Sequence, residues 1–392
     1  MTDFIDTVSA RSAPLVVFGA SVTGEIVLSL LDILKIQPSF FCDNDPRKRV
    51  APFHGYKVVS RERLCREHPD AIVVIAAGRY FHEIKRQLTQ AGFTDVFSDA
   101  DVIGCVDLEN TPSSKLEKIA WHLAKLGKLP AVGKGLHLPR LDVVVTTRCT
   151  LKCRHCSSLM PYYKKPSDAD PSRLMRALDR ILSCVDQIAH VELLGGEPFL
   201  DTNLPAVAQQ LLDSGKVLHI DVVTNGTVVP PEKELVALKH DRISVVIDDY
   251  GRLSKKVRPL CAVLKKQGID FRVNRHWAWA DLGGFKSRGR SPQQREKLFA
   301  RCNFNSCAEL LDGRLYRCPR SSHGTQTGTI PDYPSDSVDI LAGPRDKNSL
   351  RKKLKAFYYG KKSIRACDHC RGNTSDSLTL DPAEQNNRSK RQ

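Results

Sequence analysis

The chain has no apolar run long enough to span a membrane, no visible secretory leader and no aromatic stacking pattern. The longest early apolar stretch, Pro14 to Ile36, is broken by Gly19, Gly24, Glu25 and Asp32. It cannot cross a bilayer as a helix, so no membrane partner is expected. The N-terminus lacks the charged and apolar regions of a signal peptide, which points to the cytoplasm. Without a recognised binding module or interleaved aromatic residues, nucleic acid is not an expected partner. Most of the 13 cysteines are grouped in motifs instead of being spread as disulfide pairs. That distribution fits a reducing compartment, where thiols and metal clusters persist.

What is present allows two or three domains. The chain has 392 residues, of which 41% are hydrophobic, enough for sizeable cores. Its net charge of +16 is uneven. Residues 251–301 hold fourteen Lys and Arg against three acids, and residues 351–392 hold eleven against four. A solvated basic face is one reading. The functional reading is a small anionic substrate, such as a phosphorylated or nucleotide-linked molecule.

Residues 1–105 read as one α/β domain. Pro14–Ala20, Ser39–Asp43 and Ala71–Ala77 are short buried strands, and Thr23–Lys35 and Tyr80–Ala91 are helical. Alternating strand and helix predicts a parallel, doubly wound sheet. The first turn, Gly19-Ala-Ser-Val-Thr-Gly24, is a degraded dinucleotide loop, with Ser21 at the middle glycine and Asp43 at the place of a ribose contact. Nucleotide binding and a domain without ligand both remain open. Residues 106–140 form a connector, with a helix expected over Ser113–Gly127.

From 141 to 290 the strand and helix alternation resumes. Strands are expected at Leu141–Thr147, His190–Leu194, Leu218–Val223, Ile243–Ile247 and Phe271–Asn274. Helices are expected near 170–185, 204–214, 231–239 and 254–268, with Asp170 as N-cap and Pro171 as the first helical residue. This is the pattern of a partial α/β barrel, in which function gathers at the C-terminal strand ends.

The motifs lie at those ends. After the first strand comes Cys149-x3-Cys153-x2-Cys156, with no fourth cysteine nearby. Three thiolates on one loop can hold three corners of an iron–sulfur cube and leave one iron open. A structural zinc site normally takes four ligands in paired spacings, which this triplet fits poorly. Gly195-Gly196-Glu197-Pro198 ends the second strand, Thr224-Asn225-Gly226 the third, and Asp248-Asp249-Tyr250 the fourth. Arg272, Asn274 and His276 alternate on the fifth and either face the interior or lie exposed at its end.

Together these motifs resemble the radical S-adenosylmethionine (radical SAM) enzymes over residues 141–371. In that family a [4Fe–4S] cluster binds SAM at its open iron and cleaves it reductively to a 5′-deoxyadenosyl radical, which takes a hydrogen atom from substrate. The resemblance implies a (β/α)6 partial barrel and a flavodoxin- or ferredoxin-type electron donor. It implies cluster ligands at Cys149, Cys153 and Cys156, and an aromatic position at His155. It assigns SAM contacts to Gly195, Gly196, Glu197, Pro198, Thr224, Asn225 and Asp248. Asp248 stands where a serine is frequent, which leaves its contact open. The N-terminal domain resembles the small Rossmann-like domains of sugar-modifying transferases.

A second cysteine group, Cys302, Cys307, Cys318, Cys367 and Cys370, occupies residues 291–371. A hairpin at Asp312-Gly313 would bring flanking sulfurs together. The group resembles the SPASM or shorter twitch extension, which holds an auxiliary [4Fe–4S] cluster. Five thiols suit one four-ligand cluster, hence twitch, although zinc also uses such pairs. Either Cys302 or Cys307 is then spare, and the short loop favours Cys307 as ligand. A spare thiol near the substrate would return a hydrogen atom and give epimerisation; dehydrogenation is the other outcome. Cys302, Cys307, Asp249, Tyr250 and Arg272 are the candidate catalytic residues. The expected substrate is a carbohydrate or nucleotide-linked sugar. A peptide-modifying maturase and a non-catalytic iron–sulfur or zinc scaffold are the alternatives. Residues 372–392 are polar and expected to be a disordered tail.

Overall fold

The structure is a computed structural model. It describes residues 4–77, 80–107, 111, 136–138, 140–276, 278–305, 307–360, 362–374 and 376–386. The expected connector helix at Ser113–Gly127 lies outside them. The chain divides into two compact units, Met1–Leu126 and Gly127–Gln392.

The first unit is built on β1 (Leu15–Phe18), β2 (Phe40–Cys42), β3 (Val58–Val59), β4 (Ile72–Ile75) and β5 (Val96–Ser98). All pair in parallel, in the order β3-β2-β1-β4-β5, the order of doubly wound nucleotide-binding sheets. Every residue of β1 and β4 is buried, because helices cover both faces of a parallel sheet. The Asp43 carboxylate, at the ribose position of the sequence reading, is engaged by the protein itself. It accepts from Ala20 N–H and Asp45 N–H at 2.9 Å each and from Lys48 Nζ at 3.2 Å. It therefore closes the β1 turn onto β2.

The second unit opens with β6 (His137–Leu138) and β7 (Leu141–Thr146). Then follow β8 (Gln187–Gly195), β9 (Val217–Thr224), β10 (Ile243–Asp249), β11 (Asp270–Arg275) and β12 (Trp279–Ala280). Last come β13 (Glu309–Leu311), β14 (Arg314–Tyr316), β15 (Ser337–Asp339) and β16 (Thr379–Leu380). One curled sheet runs β11-β10-β9-β8-β7-β13-β14-β15, with β6 beside β8. From β11 to β13 the pairing is parallel. The sixth parallel strand, β13, comes from the cysteine-rich region, so that region is continuous with the barrel sheet and is not a free-standing extension. The expected hairpin is β13–β14; Asp312 and Gly313 have φ of 48° and 75°, the left-handed pair a tight hairpin requires.

Side chains alternate along each strand, so strand register stacks the lumen in layers. Glu309, Asp142, Glu192, Asp221, Ser244 and Asp270 lie at one level across six strands. Arg140 bridges Asp142 and Glu192, and Arg272, His190 and His219 all hold Asp221. Next towards the strands' C-terminal ends is an apolar layer of Val144, Leu194 and Leu311 with Tyr316. The opposite face of the sheet packs on helices Pro171–Cys184, Leu204–Asp213 and Val257–Gln267 in one continuous core.

The segment expected to be a disordered tail is structured over 376–386. Its strand β16 pairs antiparallel with β12, and Ala383 is fully buried. The run is short and polar, and its order comes from backbone pairing with distant residues, which local composition does not encode.

Candidate metal and cofactor site

The loop after β7 is shaped by its own polar side chains. Arg148 donates to Asp168 through Nε and Nη2 at 2.8 Å each, and Thr146 Oγ1 donates to the same carboxylate at 2.7 Å. This folds residues 147–168 back on themselves and gathers three sulfurs. Burial pushes the Cys149 thiol up to about 12 and Cys153 up to about 11, and it raises Cys156. The neighbouring sulfurs add to each of the first two shifts. Three thiolates are favourable at such a place only with a bound cation. Donors already face them. Leu151 N–H lies 3.4 Å and Asn225 Nδ2 3.6 Å from Cys149 Sγ, and Gln385 Nε2 lies 3.4 Å from Cys153 Sγ. Hydrogen bonds to sulfur are what a cluster's thiolates require. The residues present fit a cubane with one open iron.

The motif at the end of β8 packs against the cysteine loop. A Cβ at Gly195 would meet Thr146 O at 2.1 Å, and one at Gly196 would meet Arg148 O at 2.1 Å. The two glycines therefore let the chain pass against the cysteine loop. Glu197 is fully buried; its carboxylate accepts from Thr224 Oγ1 at 2.7 Å, Asn225 N–H at 2.9 Å and Phe199 N–H at 3.2 Å. Burial pushes it up to about 7. Glu197 thus ties the ends of β8 and β9 together through three accepted hydrogen bonds. Pro198 starts a short 3-10 turn behind it.

Asn225 connects the β9 end to the cluster loop, donating to Thr150 Oγ1 at 3.2 Å as well as to Cys149. Ser254 Oγ donates to Asn225 O at 2.6 Å, and Lys256 N–H to Gly226 O at 2.9 Å. The exposed cations Arg252, Lys255, Lys256 and Arg258 are thereby set beside the motif. At the mouth of β10 and β11, His276 Nε2 is 2.9 Å from Asp248 Oδ1, and Asn274 Nδ2 lies 3.3 Å from the same oxygen. Tyr250 stacks on the His276 ring at 5.3 Å and meets Trp279 edge-on. The sequence leaves the orientation of His276 open; its pairing with Asp248 follows from the register of β10 and β11.

Three candidate catalytic residues are surrounded by groups of the protein itself. Asp249 accepts from Gly251 N–H at 2.8 Å, closing a turn. Arg272 is bonded to buried Asp221 in the carboxylate layer, well below the mouth. Its neighbours His190, Glu192 and Asp221 have ligand atoms within 4.8 Å of one another. Arg140 and Arg272 already balance their charge, which disfavours a divalent ion there. Cys307 is buried, and its thiol is raised by burial, with Asp142, Glu309 and Glu192 adding to the shift and Arg140 opposing it. By period two it shares the lumen face of Glu309.

The second sulfur group is Cys302, Cys318, Cys367 and Cys370. The Cys318 thiol is held well above its ordinary value by burial first, then by Cys302, Cys370 and Cys367. Asn373 N–H lies 3.4 Å from Cys302 Sγ and Gly372 N–H 3.2 Å from Cys370 Sγ. Arg290 Nη1 donates to the carbonyls of Cys367 and Cys370 at 2.8 and 2.7 Å, fixing their loop. The preference for Cys307 over Cys302 as the ligand is therefore corrected: the sequence spacing could not show that Cys307 faces the barrel lumen.

A buried polar chain that the sequence does not announce runs from Glu309 to Tyr163. Ser322 Oγ donates to Glu309, His323 Nε2 is 3.4 Å from Glu309 Oε1, and His323 Nδ1 pairs with Tyr163 OH at 2.6 Å. Burial lifts Glu309 to about 8 and lowers His323 to about 3, both shifts favouring the neutral form.

Residues 143–270 match the Radical SAM superfamily. A probable GTP 3',8-cyclase of Methanococcus maripaludis (strain C6) is 30% identical over 130 residues, which are 31% of this chain and 40% of the relative. The pre-heme d1 synthase of Dinoroseobacter shibae is 29% identical over 32% of this chain and 28% of its own length. The chain thus spans less than half the length of these curated relatives. Among solved structures, BtrN in complex with AdoMet and 2-DOIA is 18% identical, covering 62% of this chain and 98% of that one, with a TM-score of 0.38. No described helix is long and apolar enough to cross a membrane.

Proposed function

Starting from the radical SAM domain at residues 143–270, we propose that this chain oxidises a hydroxyl-bearing carbon of an anionic sugar, phosphorylated or nucleotide-linked. When bound, two [4Fe–4S] clusters and SAM supply an electron source, a hydrogen-atom acceptor and an electron sink. Cys149, Cys153 and Cys156 would hold the first cluster, and Cys302, Cys318, Cys367 and Cys370 the second.

The observation that carries oxidation over epimerisation is the placement of the two candidate thiols. Cys302 sits in the four-sulfur group, and Cys307 is buried beside Arg140 and the carboxylate layer. Neither is left at the mouth to return a hydrogen atom. His276 with Asp248, 2.9 Å apart, is the pair placed to accept a hydroxyl proton, and Tyr250 holds the ring in plane. The cationic turn at Arg252–Arg258 supports an anionic substrate, as does the name of the GTP 3',8-cyclase relative.

The test is anoxic purification followed by iron analysis and turnover with phosphorylated and nucleotide-linked sugars deuterated at the carbinol carbon. About eight irons per chain are expected. Deuterium should move into 5′-deoxyadenosine with a carbonyl product. A product carrying solvent deuterium at that carbon would overturn oxidation in favour of epimerisation. Zinc without iron would favour the scaffold.

A further inference from the structure

We propose that residues 379–386 form a strap over the cluster loop, and that Gln385 is a positioning residue for the first iron–sulfur site. The inference rests on Cys149, Cys153 and Cys156 being cluster ligands.

The strap is anchored before it reaches the loop. Strand β16 pairs with β12, Leu380 opposite Trp279, and Asp281 N–H donates to Leu378 O at 2.7 Å. The chain then turns at Ala383, where φ is 56°, a conformation that costs a residue with a Cβ and persists only when its surroundings impose it. Here they do: Ala383 is fully buried in one apolar cluster with Leu151 and Cys153. Beyond the turn, the backbone lies antiparallel to the cysteine loop, Cys153 opposite Gln385. Arg154 N–H donates to Glu384 O at 2.6 Å, and Asn386 N–H to Lys152 O at 2.8 Å. Glu384 also meets Arg154 at 3.2 Å and His155 at 3.5 Å.

The Gln385 side chain uses both ends. Its Oε1 accepts from Lys152 N–H at 2.9 Å, while Nε2 donates to Ala383 O at 2.7 Å and lies 3.4 Å from Cys153 Sγ. An N–H facing an iron-bound thiolate stabilises negative charge on sulfur. That charge is greater in the reduced cluster, so the contact raises the reduction potential. Because the donor sits 232 residues from its sulfur in sequence, the cluster's potential depends on the strap being docked. The strap also covers Leu151 and Cys153, which are buried against Ala383.

The experiment compares the full anoxically reconstituted protein with Gln385→Ala, Gln385→Glu and a chain ending at Asp381. Redox titration is followed by the electron paramagnetic resonance signal that shifts on adding SAM, which isolates this cluster from the auxiliary one. Gln385→Glu keeps the acceptor for Lys152 and removes the donor. Both point variants are expected to titrate at a more negative potential, with about fivefold less reduced cluster at a fixed potential. The shortened chain should do the same and bleach several-fold faster in air. Point variants that titrate like the unaltered protein would overturn the role of Gln385, and a shortened chain as air-stable as the full one would overturn the strap. If the unaltered protein gives no SAM-responsive signal, the cluster reading fails first, independently of the variants.

Discussion

The hydroxyl of Thr224 donates to the Glu197 carboxylate at 2.7 Å, and both residues are buried. The contact joins the ends of β8 and β9, and the next residue, Asn225, reaches the cysteine loop. Thr224→Val keeps the shape and removes the donor. It should lower unfolding free energy by about 1–3 kcal/mol, because the carboxylate loses a partner it cannot replace with water. Urea denaturation of the metal-free protein measures this. An unchanged midpoint would show that the contact is incidental.

Gly196→Ala should be worse for metal binding than for folding elsewhere. Its Cβ would sit 2.1 Å from Arg148 O and 2.7 Å from Cys149 Cβ. The loop must move away at a cost of about 1–3 kcal/mol. The expected result is loss of the SAM-responsive cluster signal while the far-ultraviolet circular dichroism is retained.

Cys302→Ser and Cys307→Ser should separate cleanly. The first removes one of four clustered sulfurs and should cost about four of about eight irons after reconstitution. The second removes a lumen thiol beside Arg140 and should leave iron content unchanged. Equal iron loss in both would place Cys307 among the ligands.

Glu309 gives a pH dependence with a definite sign. Burial raises it from an ordinary value of 4.5 to about 8 in the folded chain. The folded state therefore binds the proton more tightly than the unfolded state. Its contribution is fully present below pH 4.5 and is lost as pH rises towards 8, at about 1.4 kcal/mol per pH unit between the two values. Glu309→Gln cannot ionise and can still accept from Ser322. Its stability should overtake that of the unaltered chain as pH rises from 6 to 9, measured by thermal unfolding. Parallel curves would mean that Glu309 is ionised in the fold.

Much of this architecture was legible along the chain. Strands β7, β9 and β10 are apolar runs flanked by turn residues, and their positions agree with the pattern to within two residues. Asp170 and Pro171 open helix Pro171–Cys184 as their chemistry predicts, Asp170 accepting from Arg173 N–H at 2.6 Å. The three-cysteine loop was legible because its sulfurs lie within eight residues of one another. What was not legible depends on register and long-range pairing. The choice between Cys302 and Cys307 turned on which face of β13 the chain presents. The His276–Asp248 pair came from β10 and β11 side by side. The two-residue strand β3 and three-residue strand β5 are too short to show a period, and Ser60 and Ser98 mark only the helices that follow them.

The carboxylate layer has a consequence for the mouth. Asp142, Glu192, Asp221 and Glu309 are nearly inaccessible, and the apolar layer of Val144, Leu194 and Leu311 lies between them and the mouth. Across β8, β7 and β13 the mouth is thus floored by apolar side chains, and a molecule seated there meets those carbons and not the acids beneath them.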